Sequence, residues 1–255
     1  MAGSPCIDDK ELSKEYLQRA SRTIEGIDSN MFSSDNGHYL TSDSIPTGMA
    51  KELHRWLIYQ NISPKHLHTQ LLSKLSTALF GTTHNGYPLS FSPKTPKVPP
   101  VISPIMPAFH ILAAISADDH QTAEHVLRTV FAPMYNKASP HFTGTCWEFL
   151  NADGTPFKDQ FCSYAQLFSV SPIFILSRYV LRVEPVEAGF KQLRIAPRFK
   201  VSGVTWAQGR VPTPVGELLE MNVGGCAQTS IHVTTNMIEV LRTKSLEVSR
   251  IPFCL

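Results

Sequence analysis

The sequence contains no long apolar run. Its most apolar stretch, FSVSPIFILSRYVL, is too short and too interrupted by polar residues to cross a bilayer, which takes about 20 apolar residues in succession. The first residues, MAGSPCIDDKELSK, lack the apolar core of a secretory signal peptide. We therefore expect no membrane partner and a cytoplasmic location.

Paired cysteines are also missing. The chain has five cysteines, an odd number, and no C-x-x-C motif, so the sequence predicts neither a disulfide framework nor a zinc ribbon. Reduced thiols are typical of intracellular proteins. The histidine pairs His66/His68 and His120/His125 lack further ligands nearby. We interpret all four as surface residues and expect no metal and no other cofactor.

The sequence has little excess charge of either sign. Lys and Arg number 23 against 21 Asp and Glu, which gives a net charge of +2. No dense basic run occurs, and this argues against nucleic acid as a main partner. With 42% hydrophobic and 17% charged residues, the composition indicates a globular protein with a sizeable core.

The hydrophobic pattern changes once along the chain. Residues 1–181 have the periodicity of helices, and residues 190–255 that of short strands. We therefore predict two domains, a helical one over 1–185 and a β domain over 186–255. A first helix is predicted from helix-forming residues, a cap at Asp8 or Asp9 and a stop at Gly26.

Two more helices are predicted before residue 82. The stretch TGMAKELHRWLIYQ has one apolar face, made of Met49, Leu53, Trp56 and Leu57. The stretch SPKHLHTQLLSKLSTALFG starts with Ser63 as N-cap and a proline at the first helical position. Its apolar face carries Leu67, Leu71, Leu75 and Ala78.

Three later stretches also have helical patterns. IMPAFHILAAIS and DHQTAEHVLRTVFAPMY predict a helical hairpin. CSYAQLFSVSPIFILSRYVL, residues 162–181, is apolar nearly all round, which favours a buried helix.

The C-terminal part is rich in β-branched residues and turn signals at close spacing. Five strands are predicted, in KQLRIAPR, GVTWAQGRVPTP, VGELLEMNV, TSIHVTT and MIEVLRT. This pattern predicts a small antiparallel β-sandwich.

A Trp-Glu pair stands between two turn-forming sequences in TGTCWEFLNADG, residues 143–154. A glutamate in this setting is either a catalytic carboxylate or an ordinary charge beside a loop. The local sequence leaves both interpretations open.

Several phrases, in their order, resemble the C-terminal portion of the α-L-rhamnosidases, which are six-hairpin glycosidases. They are TCWE (145–148), SPIFILSRYVLRVEPVEAGFKQLRIAPR (171–198) and VTWAQGRVPTPVGELLEMNV (204–223). The segment DNGHYLTSDSIPTGMAKEL also looks like a family segment that precedes a barrel helix. The resemblance implies part of an all-α (α/α)6 toroid, about six helices, followed by the C-terminal β domain.

The resemblance also implies an activity: the inverting hydrolysis of terminal α-L-rhamnosides. Inversion uses a general acid and a general base about 6.5–9.5 Å apart. The glutamate of the family's Thr-x-Trp-Glu loop is the base and maps onto Glu148, and Trp147 would wall the sugar pocket. His38, Tyr39 and Asp43 are further candidates for contact with a ligand, against the alternative of a plain turn.

The sequence departs from the family in two places. No stretch matches the motif that carries the general acid, Asp-x-x-x-x-x-Glu-Arg. Gln166 and Phe168 stand where the family typically has a histidine and a tryptophan. Gln166 can hydrogen-bond a sugar hydroxyl but cannot carry a proton at neutral pH. The alternative is that both residues only pack.

These departures leave three functions open. The chain is a rhamnosidase-like hydrolase, a sugar-binding or accessory relative without catalysis, or a relative recruited to another reaction, such as the tailoring of a natural product. The expected partner is a carbohydrate or a glycosylated small molecule. Half a barrel exposes apolar helix faces, so a second copy or an N-terminal half would cover them.

Overall fold

The structure is a computed structural model. It describes residues 9–42, 45–49, 51–80, 101–151, 153–157, 162–186, 192–195, 206–212, 218–224, 229–233 and 239–242. The chain divides into two compact units, Met1–Ser169 and Val170–Leu255. The predicted domains, 1–185 and 186–255, stay a prediction.

The first helix, α1 (Lys10–Met31), begins where predicted but ends later. The Asp9 carboxylate accepts a hydrogen bond of 3.0 Å from the backbone N–H of Leu12, which confirms Asp9 as the N-cap. The predicted stop at Gly26 is wrong. A glycine inside a helix costs only about 0.5–1 kcal/mol relative to alanine, which is too little to end α1 by itself.

A small antiparallel sheet follows α1, made of β1 (Phe32–Ser33), β2 (His38–Ser42) and β3 (Ile45–Met49). The turn between β1 and β2 closes with a hydrogen bond of 2.7 Å from Gly37 N–H to the Ser33 carbonyl. Gly37 has a φ of 61°, which favours glycine. Its carbonyl accepts a bond of 3.2 Å from the Gln70 side chain, so the turn is tied to the helix that carries Gln70.

The next helix, α2 (Lys51–Tyr59), buries a different face from the predicted one. Trp56 is 44% exposed, and its ring lies 4.5 Å from that of Phe109. Trp56, on the predicted apolar face, is therefore not a core residue. The buried side chains of α2 are His54, Arg55, Leu57 and Ile58. Two of these are polar, so an apolar pattern could not reveal the face.

The helix α3 (Lys65–Phe80) confirms its predicted apolar stripe at Leu71 and Leu75, which are fully buried. The predicted N-cap is wrong, because the buried Ser63 hydroxyl has no hydrogen-bond partner among the described residues. His68 is 4% exposed, and its Nε2–H donates to the Ser63 carbonyl over 2.9 Å. His68 is thus a buried residue, contrary to the surface prediction.

The predicted helical hairpin of residues 105–135 is confirmed. It consists of α4 (Ile105–Ser116), α5 (His120–Val126), a π-helical turn (Leu127–Phe131) and α6 (Ala132–Tyr135), the last three being continuous. Ala132 N–H bonds to the Leu127 carbonyl five residues back. Pro133, which has no N–H to donate, follows directly. The turn thus widens where the α-helical bonds are interrupted.

After α6 the chain forms a long loop that ends on a short strand pair. In it β4 (Val101–Ile102) runs antiparallel to β5 (Leu150–Asn151). A single 3₁₀ turn, Leu167–Ser169, lies against α4. The Trp-Glu loop is therefore flanked by α6 on one side and by β5 on the other.

The single buried helix predicted over residues 162–181 is wrong. The helix α7 (Ser171–Ile175) starts nine residues later and continues as a π-helical turn, Leu176–Val180. Pro172 lies in its first turn, where a missing N–H costs least. Ile173 and Phe174 are 67% and 43% exposed, so an apolar sequence alone did not mean burial.

Six strands lie in the described part of the second unit. They are β6 (Val183–Pro185), β7 (Gln192–Ile195), β8 (Trp206–Pro212), β9 (Leu218–Gly224), β10 (Thr229–Val233) and β11 (Glu239–Arg242). One sheet has the order β10-β9-β8 and is antiparallel. The other has the order β11-β7-β6, in which β11 is parallel to β7. The five strand positions are confirmed, a wholly antiparallel arrangement is wrong, and a sandwich stays a prediction.

The described residues form six helical stretches longer than one turn, as expected for part of a toroid. Closure of these stretches into a toroid stays a prediction. No helix in the described ranges is long and apolar enough to cross a membrane.

Candidate active site

The Trp-Glu loop is held along its length by a second segment, residues 162–166. Gln166 N–H donates to the Cys146 carbonyl over 2.8 Å, and Glu148 N–H donates to the Ser163 carbonyl over 2.9 Å. The Thr145 hydroxyl donates to the carbonyl of Tyr164. The two backbone bonds lie two residues apart on the loop, at Cys146 and Glu148, so the two segments have a defined register.

The Glu148 carboxylate is oriented by backbone. Its Oε2 accepts a hydrogen bond of 2.9 Å from the N–H of Ser163. The carbonyl of the same serine accepts the bond from the Glu148 N–H. Glu148 is half-buried, and no described residue forms an ion pair with it or a hydrogen bond with its Oε1. One oxygen is therefore fixed and the other can accept a proton or a hydrogen bond from a ligand.

Trp147, predicted to wall the pocket, lies in the core of the first unit. It is 1% exposed. Its indole Nε1–H donates to Thr143 Oγ1 over 2.8 Å, and its backbone N–H contacts the sulfur of Met134 at 3.3 Å. The buried tryptophan therefore fixes the loop to the core of the first unit. Its contact with a sugar stays a prediction.

Tyr135 and Cys146 form a polar contact under the same loop. The phenol oxygen lies 3.1 Å from the Cys146 sulfur. Burial, and then the contact with Cys146, raises the pKa of Tyr135. Tyr135 therefore stays protonated at neutral pH and acts as a hydrogen-bonding group.

Aromatic side chains are exposed around the loop. Tyr135, Phe142 and Tyr164 are 47%, 37% and 38% exposed, and Phe168 is 67% exposed. Phe168 therefore does not pack as a core residue, which was the alternative to a role in binding. Gln166 is half-buried, and its carbonyl accepts a bond of 3.1 Å from Ser169 N–H at the 3₁₀ turn.

The other two predicted site residues belong to a different group of side chains. Tyr39 is 1% exposed, and its hydroxyl donates to Asp28 Oδ1 over 2.6 Å. Its backbone N–H donates to Nε2 of the buried His54 over 3.1 Å. Burial, and then Asp28, raises the pKa of Tyr39. His38 is half-buried, and its Nδ1 lies 3.2 Å from the Asn36 carbonyl.

The structure thus brings Glu148, Trp147 and Gln166 together on two hydrogen-bonded segments. Among the described residues, no hydrogen bond or ring contact joins them to His38 or Tyr39. The roles of all five residues in binding or catalysis stay predictions. Asp43 lies outside the described residues.

Sequence reasoning missed the residues that hold Glu148 in place. Ser163 acts through its backbone, which leaves no trace in a motif. Thr143 and Thr145 were visible in the sequence, and two hydroxyls within four residues of a buried tryptophan are the signal that could have identified them.

A buried polar pair near α2 was also missed. Arg55 on α2 and His110 on α4 are 1% and 0% exposed. Burial, and then the charge of Arg55, lowers the pKa of His110 to about 3. Burial lowers the pKa of Arg55 to about 10. A neutral imidazole and a charged guanidinium therefore share this part of the core.

Other polar groups near the loop are explained locally. The Asp153 carboxylate accepts bonds from the N–H and the hydroxyl of Thr155, and these bonds lower its pKa. This is the turn that an Asp-Gly pair predicts. No group of three or more His, Cys, Asp or Glu residues within the described ranges has the arrangement of a metal site.

No protein-family model matches the sequence, and no curated protein sequence does. Solved structures do match. A GH78 family rhamnosidase of Bacillus sp. GL1 superimposes with a TM-score of 0.65 and 18% identity, over 94% of this chain and 23% of that one.

Two further structures give the same result. The α-L-rhamnosidase of Streptomyces avermitilis, complexed with L-rhamnose, matches 82% of this chain and 19% of its own, with a TM-score of 0.56 and 14% identity. The α-L-rhamnosidase of Aspergillus terreus matches 83% of this chain and 22% of its own, with a TM-score of 0.55 and 15% identity. The chain therefore has a rhamnosidase-like fold and spans about a fifth of the length of these enzymes.

Proposed function

We propose that this chain is a divergent α-L-rhamnosidase-like glycoside hydrolase that cleaves terminal α-L-rhamnosides with inversion. The observation that carries the proposal is the geometry of Glu148. One carboxylate oxygen is fixed by the Ser163 N–H, while the other has no described partner. The rhamnosidase-like fold supports the proposal.

In this proposal Glu148 is the general base. Its Oε1 takes a proton from a water molecule, the water oxygen bonds to the anomeric carbon, and the bond to the aglycone oxygen breaks. The departing oxygen takes a proton from a general acid, for which this sequence offers no match to the family motif. Gln166 hydrogen-bonds a sugar hydroxyl and the half-buried His38 contacts the substrate, while Trp147 and Tyr39, which are both 1% exposed, support the substrate site from the core.

A second candidate function is binding without catalysis. Gln166 supports it, because an amide in place of the family's histidine can hold a hydroxyl but cannot transfer a proton. The missing acid motif supports it too, since general acid–base help is worth about 10²–10⁴-fold in rate. A chain of this kind would be an accessory or sugar-binding protein.

We further propose that another polypeptide covers exposed apolar side chains of this chain, either a second copy of the chain or the remaining hairpins of a barrel. Large apolar side chains are exposed on two separate helices, Tyr16 and Leu17 on α1 and Ile173 and Phe174 on α7. Neighbouring exposed apolar residues of this kind, present on each helix, are typical of interaction surfaces.

The test is hydrolysis of an aryl α-L-rhamnoside by the purified chain and by Glu148→Gln. The amide keeps the size of the side chain and can still accept from Ser163 N–H, but it cannot act as a base. Glu124→Gln is the matched control, since Glu124 is a helix residue paired with Arg128 at 2.7 Å, outside the loop. We expect Glu148→Gln alone to lose at least about 100-fold in rate.

Equal rates for the wild type and Glu148→Gln would rule out the catalytic proposal. Titration calorimetry with L-rhamnose then decides between the remaining candidates. Binding in the wild type would support the sugar-binding function, and undetectable binding would rule it out. NMR detection of the β-configured product directly after cleavage would establish inversion, whereas the α-configured product would contradict it.

A further inference from the structure

Two threonine hydroxyls link Trp147 to the segment that orients Glu148. The indole Nε1–H of Trp147 donates to Thr143 Oγ1 over 2.8 Å. The Thr143 and Thr145 hydroxyl oxygens lie 2.8 Å apart, and the Thr145 hydroxyl donates to the carbonyl of Tyr164. Three hydrogen bonds thus run without a break from the core to the second segment.

The direction of these bonds is determined by chemistry. An indole N–H can only donate, a carbonyl can only accept, and each hydroxyl has one proton. Because Thr145 uses its proton on the Tyr164 carbonyl, Thr143 must be the donor between the two hydroxyls. The Thr143 hydroxyl also lies 3.5 Å from the Thr145 carbonyl, a longer contact than the 2.8 Å to the Thr145 hydroxyl. Loss of either hydroxyl breaks two of the three bonds.

The last bond ends next to the group that holds Glu148. Tyr164 follows Ser163, whose N–H donates to the Glu148 carboxylate. The peptide between Ser163 and Tyr164 is thus flanked by two bonds to the loop, one made by the Thr145 hydroxyl and one by the Glu148 carboxylate. Movement of this segment would release the carboxylate.

We propose that Thr143 and Thr145 are positioning residues, whose hydroxyls keep the Glu148 carboxylate in a single orientation. The catalytic consequence rests on the proposed function, whereas the positioning itself does not. Neither threonine touches the carboxylate, so both act through their partners.

The two hydroxyls differ in which partner group is left without a hydrogen bond when each is removed. Trp147 is 1% exposed, so valine at residue 143 leaves a buried indole N–H without an acceptor. Thr145 is itself exposed, and its partner is a carbonyl that water can reach. Thr143→Val should therefore act mainly on the indole, and Thr145→Val mainly on residues 163 and 164.

Hydrogen exchange measures both effects by NMR, in the free protein. We expect Thr143→Val to speed exchange of the Trp147 indole N–H about tenfold, the equivalent of one lost hydrogen bond. We expect Thr145→Val to speed exchange of the Ser163 amide by several-fold up to about tenfold. Thr143→Ser and Thr145→Ser keep the hydroxyl and should restore the wild-type rates.

The matched control is Thr129→Val. Thr129 also uses its hydroxyl on a carbonyl, that of His125 at 2.7 Å, but lies on the helical hairpin. If exchange of both protons is unchanged in the two valine variants, or changes equally in Thr129→Val, the proposal is overturned. If the serine variants exchange as fast as the valine variants, side-chain shape rather than the hydroxyl is responsible, and the proposal again fails.

Activity provides the second readout if the chain hydrolyses an aryl rhamnoside. We expect the two valine variants to lower kcat several-fold with little change in KM, because a misoriented base affects the chemical step more than binding. A change in KM alone would contradict positioning of the base. If no rate depends on Glu148, the proposed function fails, while the exchange measurements still decide whether the hydroxyls hold the carboxylate.

Discussion

Glu148 and Ser163 exchange two hydrogen bonds. The Glu148 N–H donates to the Ser163 carbonyl, and the Ser163 N–H donates to the Glu148 carboxylate, both over 2.9 Å. The carboxylate is thus oriented by the backbone of a neighbouring segment. Its orientation depends on the path of residues 162–166 rather than on the identity of one side chain.

This geometry predicts opposite results for two substitutions of Ser163. Alanine keeps the N–H and removes only the hydroxyl, which accepts a turn bond of 3.1 Å from Ala165 N–H. Proline removes the N–H that holds the carboxylate. We expect Ser163→Pro to lower the thermal midpoint of unfolding. It should also lower any Glu148-dependent rate at least about tenfold, because a hydrogen bond from an N–H to a carboxylate is worth about 1.5–3 kcal/mol. Ser163→Ala should change both far less, and equal losses would contradict the role of the N–H.

Two glycines offer a matched pair for a stability measurement. A Cβ at Gly37 would lie 2.2 Å from Gln70 Nε2, on a backbone with φ 61°, whereas a Cβ at Gly26 would meet nothing within 4 Å. We expect Gly37→Ala to destabilise the fold by about 1–3 kcal/mol. Gly26→Ala should stabilise it by about 0.5–1 kcal/mol, because alanine is the better helix former. Urea unfolding of both variants checks the prediction, and a stabilised Gly37→Ala would refute it.

The stability of the fold should depend on His110 in mildly acidic solution. Burial lowers its pKa to about 3 in the folded state, below the value of about 6.5 expected for the unfolded chain. The unfolded state thus binds more protons between these values, so stability is fully present above about pH 6.5 and is lost as the pH falls towards 3. The loss approaches about 1.4 kcal/mol per pH unit.

Unfolding by urea at pH 7, 6, 5 and 4 measures this loss. His110→Gln keeps a polar side chain beside Ser76 and does not titrate, so its stability should fall less steeply with acid than that of the wild type. Thr77→Ser, on the neighbouring α3 and without any titratable group, is the control and should follow the wild-type slope. Parallel slopes for His110→Gln and the wild type would contradict the prediction.

The α4–α5 hairpin should depend on Asp119. Its carboxylate accepts bonds from the N–H and the hydroxyl of Thr122, at 3.0 and 2.7 Å. We expect Asp119→Ala to cost about 0.5–2 kcal/mol of unfolding free energy, and Asp119→Asn to cost clearly less, because asparagine also caps helices. Thermal unfolding distinguishes the two, and an equal loss would show that charge rather than capping is responsible.

The sequence predicted elements whose patterns are local. The helix α4 occupies the predicted residues without a shift. The strands β8, β10 and β11 lie within their predicted stretches, and β9 extends one residue beyond its own, to Gly224, because period and turn signals act over a few residues. The helical stretch before the Trp-Glu loop was predicted correctly, whereas the strand β5 after the loop was not predicted.

Features that depend on tertiary contact could not be predicted in the same way. His54 and Arg55 are buried because α2 lies between other helices, which no hydrophobic pattern shows. The parallel pairing of β11 with β7 joins residues almost fifty positions apart. At the site, the Thr-Cys-Trp-Glu motif identified Glu148. The partner of the Glu148 carboxylate is the backbone N–H of Ser163, which almost any residue type could supply, so the sequence could not identify it.

The π-helical turn Leu127–Phe131 is a place where the chain should tolerate the deletion of one residue. A π turn contains one residue more than the α-helical path between the same ends, so the helix before it and the helix after it are out of phase by one position. Removing a single residue there should bring the helical segments on either side back into α-helical phase, apart from the one bond that Pro133 cannot donate. The same deletion inside α4 would rotate every later side chain of that helix by about 100°. The hairpin therefore has one place where a one-residue deletion is structurally mild, and aligned relatives of this chain should differ in length there.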